Sequence, residues 1–335
     1  MKSLKKPKLG WCGLLVLGLF TSIVLICSQR LDVSEVRLIS EEIAWAAPAF
    51  SPDGNLIAYG FENTIKIIDL NGQEQAEFLV QDQPLYLQWL TASQVIYIRW
   101  IGDAATDGVQ SQFCILNIQS GEISLASDVI LMGRLDYFAL SPSKTRLAFV
   151  KQLDEGIPGS PQKMVHTLDL ATGVITPLIT PVMGHCNSPI WNNESELLSI
   201  CSDKEPDKMD TWSSQVWYIN VITGESEPVA DPKNHFSLSE SPDGHWLIYL
   251  CPKETRPPSN NLCVAPTWNG KPVFWLNHRL NLSNNLWVNL LERNFFELPP
   301  SYVAWSPDSK HITFSGDLRT SNGFEKGIWY VTFDN

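Results

Sequence analysis

Acidic side chains gather in three separated stretches: Asp103 and Asp107, then Asp154 and Glu155, then Asp203, Glu205, Asp207 and Asp210. Oxygen-rich segments of this kind can ligate calcium, a hard cation that takes carboxylate and carbonyl oxygens. None shows the spaced ligands of a calcium loop, and Lys151, Lys163, Lys204 and Lys208 stand among them. A solvated charged rim is the plainer reading, with Asp103, Asp154 and Asp207 kept as candidate binding residues. His166, His185, His235, His245, His278 and His311 are scattered without zinc spacing. His185 beside Cys186 reads as a turn or channel residue rather than a metal pair. There is no G-x-S-x-G elbow and no catalytic cysteine context. No catalytic, metal or cofactor residue is therefore assigned. A site assembled from distant segments would leave no linear motif, so an enzyme stays open as the alternative.

A second group of residues points to recognition rather than reaction. The stretch "NHRLNLSNNLWVNLLERNFFELPPSY", Asn277–Tyr302, brings Trp287, Leu290, Leu291, Phe295 and Phe296 into a segment that should be polar if it were an ordinary loop. Exposed aromatic and aliphatic clusters mark partner sites. The competing reading is a short helix folded back over a channel or a sheet edge.

The elements that must position these segments are repeats. "SPDG" stands at Ser51–Gly54 and Ser241–Gly244, and "SPDS" at Ser306–Ser309. Aligned on that stretch, the chain divides into six units starting near Ala47, Tyr86, Tyr137, Ser188, Leu238 and Val303. Each reads as four short strands, A to D. Pro presets the first central position of a type I turn, Asp tolerates the second, and Gly accepts the left-handed conformation that follows. The C–D turns are Asn71-Gly72, Ser120-Gly121, Thr172-Gly173, Thr223-Gly224 and Asn269-Gly270, again hairpin chemistry. Units two and four depart at the A–B turn, with "TASQ" and "NNES". Nearly continuous apolar runs such as "LIAYG" and "IKIID" suit sheets buried on both faces. Four-stranded repeats of this length indicate an all-β, six-bladed β-propeller of four-stranded antiparallel blades. The last unit ends after strand C, and "SEVRLIS" (Ser34–Ser40) belongs to no repeat; it is expected to supply the missing outer strand and close the ring.

The pattern "FSPDG…LIAYG…IKIIDLNGQE" resembles the TolB-like, WD40-like propeller repeat of exported bacterial proteins, over about residues 45–335. The resemblance implies the fold. It also implies either a docking platform for envelope proteins or the non-catalytic domain of a peptidase, and no hydrolase domain follows here.

In a propeller, A–B and C–D turns share one face, and B–C and D–A connections share the other. The long connections expected here are B–C segments Ile101–Gln112, Gln152–Val165, Asp203–Gln215, Pro252–Asn261 and Asp317–Lys326, with Asn277–Tyr302 the longest D–A segment. Binding is therefore expected on that loop face. The repeat register also suggests two disulfides, Cys251 with Cys263 and Cys186 with Cys201, leaving Cys114 as a buried thiol.

Charge and hydropathy place the chain. Lys2, Lys5, Lys6 and Lys8 precede the uncharged run Leu9–Gln29, long enough to cross a bilayer. Residues 1–30 are expected to form a cytoplasmic basic tip and one transmembrane helix, a signal anchor. The lysines stay inside, which puts residues 31–335, the propeller, on the extracytoplasmic side of the cell membrane. A cleaved signal peptide is the alternative. The net charge of −12 excludes nucleic acid as a partner. The reading that results is a membrane-tethered scaffold for an envelope or membrane protein, with a small ligand also allowed. The alternatives are a hydrolase or lyase acting on peptide or carbohydrate at the channel mouth, and a purely structural spacer.

Overall fold

The computed structural model describes residues 31–44, 48–101, 110–132, 135, 137–152, 163–178, 185–202, 214–228, 236–252, 260–268, 271–272, 278–279, 303–320 and 323–334. The strands follow the repeats. The first strand is β1 (Asp32–Ser40). Blade one holds β2 (Ala49–Phe50), β3 (Leu56–Phe61), β4 (Thr64–Asp69) and β5 (Glu74–Leu79). Blade two holds β6 (Pro84–Thr91), β7 (Gln94–Ile101), β8 (Gln110–Asn117), and two short outer pieces, β9 (Ile123–Leu125) and β10 (Leu131–Met132). Blade three holds β11 (Phe138–Leu140), β12 (Arg146–Gln152), β13 (Lys163–Asp169) and β14 (Ile175–Pro177). Blade four holds β15 (His185–Asn193), β16 (Glu196–Ser202), β17 (Ser214–Asn220) and β18 (Ser226–Pro228). Blade five holds β19 (Phe236–Glu240), β20 (Trp246–Pro252), β21 (Asn260–Trp268), β22 (Lys271–Pro272) and β23 (His278–Arg279). Blade six holds β24 (Val303–Trp305), β25 (His311–Thr320) and β26 (Gly323–Asp334).

These make six antiparallel sheets, and the sixth is completed by β1, in the order β1-β26-β25-β24. Val36 lies opposite Val331 and Leu38 opposite Trp329. The first and last strands of the chain thus share one blade, which leaves β26 no bare edge. Middle strands are buried on both faces, as in β3 and β7, because each blade is sandwiched between two others. Ile39, Tyr59, Ile328 and Tyr330 pack together where blade six meets blade one.

The repeated tetrapeptide proves to be a self-contained hydrogen-bond unit. In blade one the Ser51 hydroxyl donates to Asp53 Oδ1 at 2.5 Å and accepts from the Leu56 amide at 2.9 Å. The Asn55 amide donates to the same carboxylate at 3.2 Å, and Gly54 closes the turn at φ 75°. Ser241 with Asp243 and Ser306 with Asp308 repeat the arrangement. Each serine is buried, so an otherwise orphaned hydroxyl is satisfied within its own turn. Units two and four instead close with two-residue hairpins, Thr91 facing Gln94 and Asn193 facing Glu196.

Blade six corrects one expected loop. Asp317 pairs with Lys326, Leu318 with Glu325 and Thr320 with Gly323, so that segment is an extended hairpin rather than a free B–C connection. Its period-2 ladder, with Leu318 buried, was masked in the sequence by the polar run "DLRTSNG".

Tryptophans bolt the blades in pairs. Trp89 of blade two donates its indole N–H to the Ala49 carbonyl of blade one at 3.0 Å. Trp191 does the same to Ala139 at 2.9 Å, and Trp305 to Ser239 at 3.0 Å. Between blades two and three, the Gln88 amide bonds both the Phe138 carbonyl and the Leu140 amide. These contacts join the strands A, which therefore form the inner ring.

Candidate functional site

At both ends of the ring the described polar side chains are largely bonded to other protein groups. On the turn face, side chains are spent on one another. The Asp243 amide donates to Ser309 Oγ at 3.0 Å, joining blades five and six. The Ser143 amide donates to Glu194 Oε1 at 2.5 Å and Arg146 to the Glu194 carbonyl, joining blades three and four. Lys144 Nζ donates to the Trp89 carbonyl at 2.9 Å. Asp53 is held below the usual carboxylate range by the Ser51 hydroxyl. Burial works against Asp243 and Asp308, but the Ser241 and Ser306 hydroxyls still hold both low. Carboxylates so committed fasten turns and are poor proton donors.

The loop face carries mutually bonded groups of its own. In blade two, Arg99 near the end of β7 donates from Nε and Nη2 to Gln112 Oε1 at 3.2 and 2.6 Å. It also meets Asp82, in the connection from blade one, at 3.7 Å. Beneath them, burial and then the neighbouring Cys114 push the Tyr97 hydroxyl up. Burial likewise raises the free thiol of Cys114, making it inert rather than nucleophilic. Tyr86 in β6 and Tyr137 just before β11 meet edge to face, with ring centroids 5.6 Å apart and planes at 85°. Tyr86 holds φ 43° at a bulge in β6, a conformation a bulky residue rarely adopts. In blade one, Lys66 Nζ bonds Glu42 Oε1 at 2.7 Å while the Tyr59 hydroxyl donates to Glu42 Oε2 at 2.6 Å. That pairing pins the segment leaving β1.

Around this polar ground the loop side exposes apolar side chains beside the connections of the first blades. They are Ile43, Leu79, Val129, Ile130 and Met132. Sequence reasoning missed them because short apolar runs such as Val129–Met132 read as buried strand, and their exposure appears only once the ring is formed.

Asp103, Asp154, Asp207, Trp287, Leu290, Leu291, Phe295 and Phe296 lie outside the described residues. Cys186 and Cys201 face each other across β15 and β16, joined by a disulfide with Cα atoms 4.1 Å apart. Cys263 is disulfide-bonded; it lies opposite Tyr249, and Cys251 opposite Asn261. Burial lowers the pKa of His166, which stacks on Phe149. Among the described residues no three His, Cys, Asp or Glu converge on a metal position.

Neither a family model nor a curated protein sequence matches the chain. Solved structures do. TolB from Acinetobacter baumannii superposes with TM-score 0.56 at 13% identity, covering 85% of this chain and 65% of that one. This is a TolB-like propeller fold. An oligogalacturonate lyase in complex with manganese gives TM-score 0.56 at 13% identity, covering 91% and 96%. A calcium-binding protein, regucalcin from Agrobacterium tumefaciens, gives 0.55 at 11%, covering 89% and 93%. Identities this low establish the fold of the TolB-like ring alone, and the three descriptions differ in activity, so fold does not choose among them.

Among the described residues no helix is long and apolar enough to cross a membrane. The expected anchor falls on residues 1–30, outside that range.

Proposed function

We propose that this TolB-like propeller is a membrane-tethered, extracytoplasmic binding scaffold that presents its loop face to an envelope or membrane protein. The carrying observation is the apolar set on the loop side, Ile43, Leu79, Val129, Ile130 and Met132, around polar groups already satisfied by one another. Such a surface suits burial against a partner, with apolar contacts at the centre and a polar rim. The membrane tether is supported by the uncharged run Leu9–Gln29 behind four lysines.

The test is chemical crosslinking of the full-length protein in its own membranes, comparing wild type with Leu79→Asp and with the double variant Ile130→Asp, Met132→Asp. All three positions are exposed, so the fold should survive. A defined protein adduct that both variants lose is the expected result. An adduct untouched by these substitutions would move the binding surface elsewhere. No adduct, together with turnover of a peptide or oligosaccharide by the purified protein, would favour the enzyme.

A further inference from the structure

We propose that the outer rim where blades one, two and three meet is a docking site for a basic, apolar polypeptide segment of a partner protein. This rests on the binding surface proposed above and supplies the chemistry of its occupant. The rim is built by a recurring joint, in which the C–D turn of one blade closes against the loop end of the preceding blade's outer strand. At Gly72 a Cβ would meet the Ile39 carbonyl of β1, and at Gly121 one would meet the Phe78 ring of β5 at 4.0 Å. The Ser127 hydroxyl, just past β9, donates to the Gly173 carbonyl of blade three at 3.0 Å.

Each joint leaves apolar side chains in water. Ile43 follows the first. The second sets Leu79, 80% exposed, near Ile123, and the third sets Val129 and Ile130 near Val174, 57% exposed. Leu125 and Met132 continue the patch along the two outer pieces of blade two. Among the described residues, every exposed large apolar side chain except Ile222 belongs to this arc. Exposure so concentrated marks a surface that a partner covers.

Charge selects the occupant. Between positions 48 and 132 the described residues carry eight carboxylates against two basic side chains, Lys66 and Arg99. Both bases are already engaged. Lys66 is shared by Glu42, Glu74 and Glu77, and Arg99 is held by Asp82 and Gln112. Exposed Glu122 adjoins Ile123 and exposed Asp128 adjoins Val129. Glu77 shares a face of β5 with Leu79, two residues on. Charges that close are little screened at physiological salt, where the screening length is about 8 Å. A segment in which lysine or arginine alternates with bulky apolar residues meets both demands. It buries its apolar side chains on the arc and sets its cations beside the carboxylates. A second copy of this chain would bring acidic rim against acidic rim, and an anionic lipid surface would be repelled in the same way.

The experiment uses the full-length protein in a neutral detergent, with a photoreactive benzophenone amino acid at position 79, 130 or 55. Asn55 is the control: it is exposed beside the Asp53 carboxylate, but in the A–B turn at the other end of blade one. Short labelled peptides are offered, alternating lysine with leucine, lysine with serine, or glutamate with leucine. Lysine–leucine adducts at 79 and 130 at least about tenfold above those at 55, and above those of the other peptides at the same positions, are expected. Glu122→Gln with Asp128→Gln should cut the yield at 130 severalfold. Equal labelling at 55 overturns the site. Labelling as strong by either other peptide, or adducts between two copies of the protein, overturns the occupant and leaves the surface a binding site. No adduct at 79 or 130 with any peptide overturns the inference. If wild type also gives no crosslink in its own membranes, the binding reading above falls with it.

Discussion

Two residue-scale features carry measurable consequences. The buried serine of each Ser-Pro A–B turn is the acceptor that lets the following strand begin, as Ser241 Oγ does for the Trp246 amide. Ser241→Ala or Ser306→Ala leaves a buried amide and a carboxylate short of a partner. A loss of about 1–3 kcal/mol in urea unfolding is expected for each. Glu240 stands where blades two, four and six carry tryptophan. Burial, and then the nearby Asp243, push its carboxyl up to about 7; across the blade interface Glu240 in turn helps raise Tyr218, whose hydroxyl is pushed up mainly by burial. The folded state holds this proton more tightly than the unfolded chain. The stabilising contribution is therefore complete below the ordinary value of 4.5 and is lost as pH rises toward about 7. That change amounts to about 3 kcal/mol. Glu240→Gln should match wild type below pH 4.5 and exceed it in melting temperature at pH 8. Equal pH profiles for the two proteins would show that Glu240 is not the titrating group.

At the scale of single elements, the blade-four hairpin has a covalent brace. The Cys186–Cys201 disulfide closes a segment with sequence separation 15, for which loop-closure entropy gives about 3 kcal/mol. Cys186→Ser with Cys201→Ser should lose about that much, or less if the unfolded chain keeps structure. Guanidinium unfolding with and without reductant measures it, and reductant should not affect the double variant through this bond. Strand existence was readable from composition, since a middle strand must be apolar on both sides. The pairing of β25 with β26 past Gly316 was not, because its outer half alternates charged and apolar residues and looks like solvent-facing loop.

For the whole molecule, closure is the cooperative feature. β1 joins the two ends of the chain, with Leu31 and Ile39 buried at the joint. Gly72 is part of that joint: a Cβ there would lie 2.0 Å from the Ile39 carbonyl oxygen, at φ +83°. Gly72→Ala should therefore destabilise more than a surface change, by about 1–3 kcal/mol. A chain lacking residues 1–40 would leave β26 a bare edge, and aggregation or a second, lower-temperature transition is expected by calorimetry. A single unchanged transition would mean that β1 is dispensable.

By itself, the amino-acid sequence determined the number of blades, the strand order and the spent role of the turn residues. Those properties are local: a Ser-Pro-Asp-Gly turn satisfies its own hydrogen bonds, and hairpins join neighbours in the chain. Tertiary structure alone decided what depends on distant segments meeting. It set Glu240 in an interface, allied Asp82 with Arg99 and Gln112, and collected Leu79, Ile130 and Met132 on one side. It also fixed which face the chain enters. Residues far apart in a chain share a surface only after the ring has closed, and no local pattern encodes that meeting.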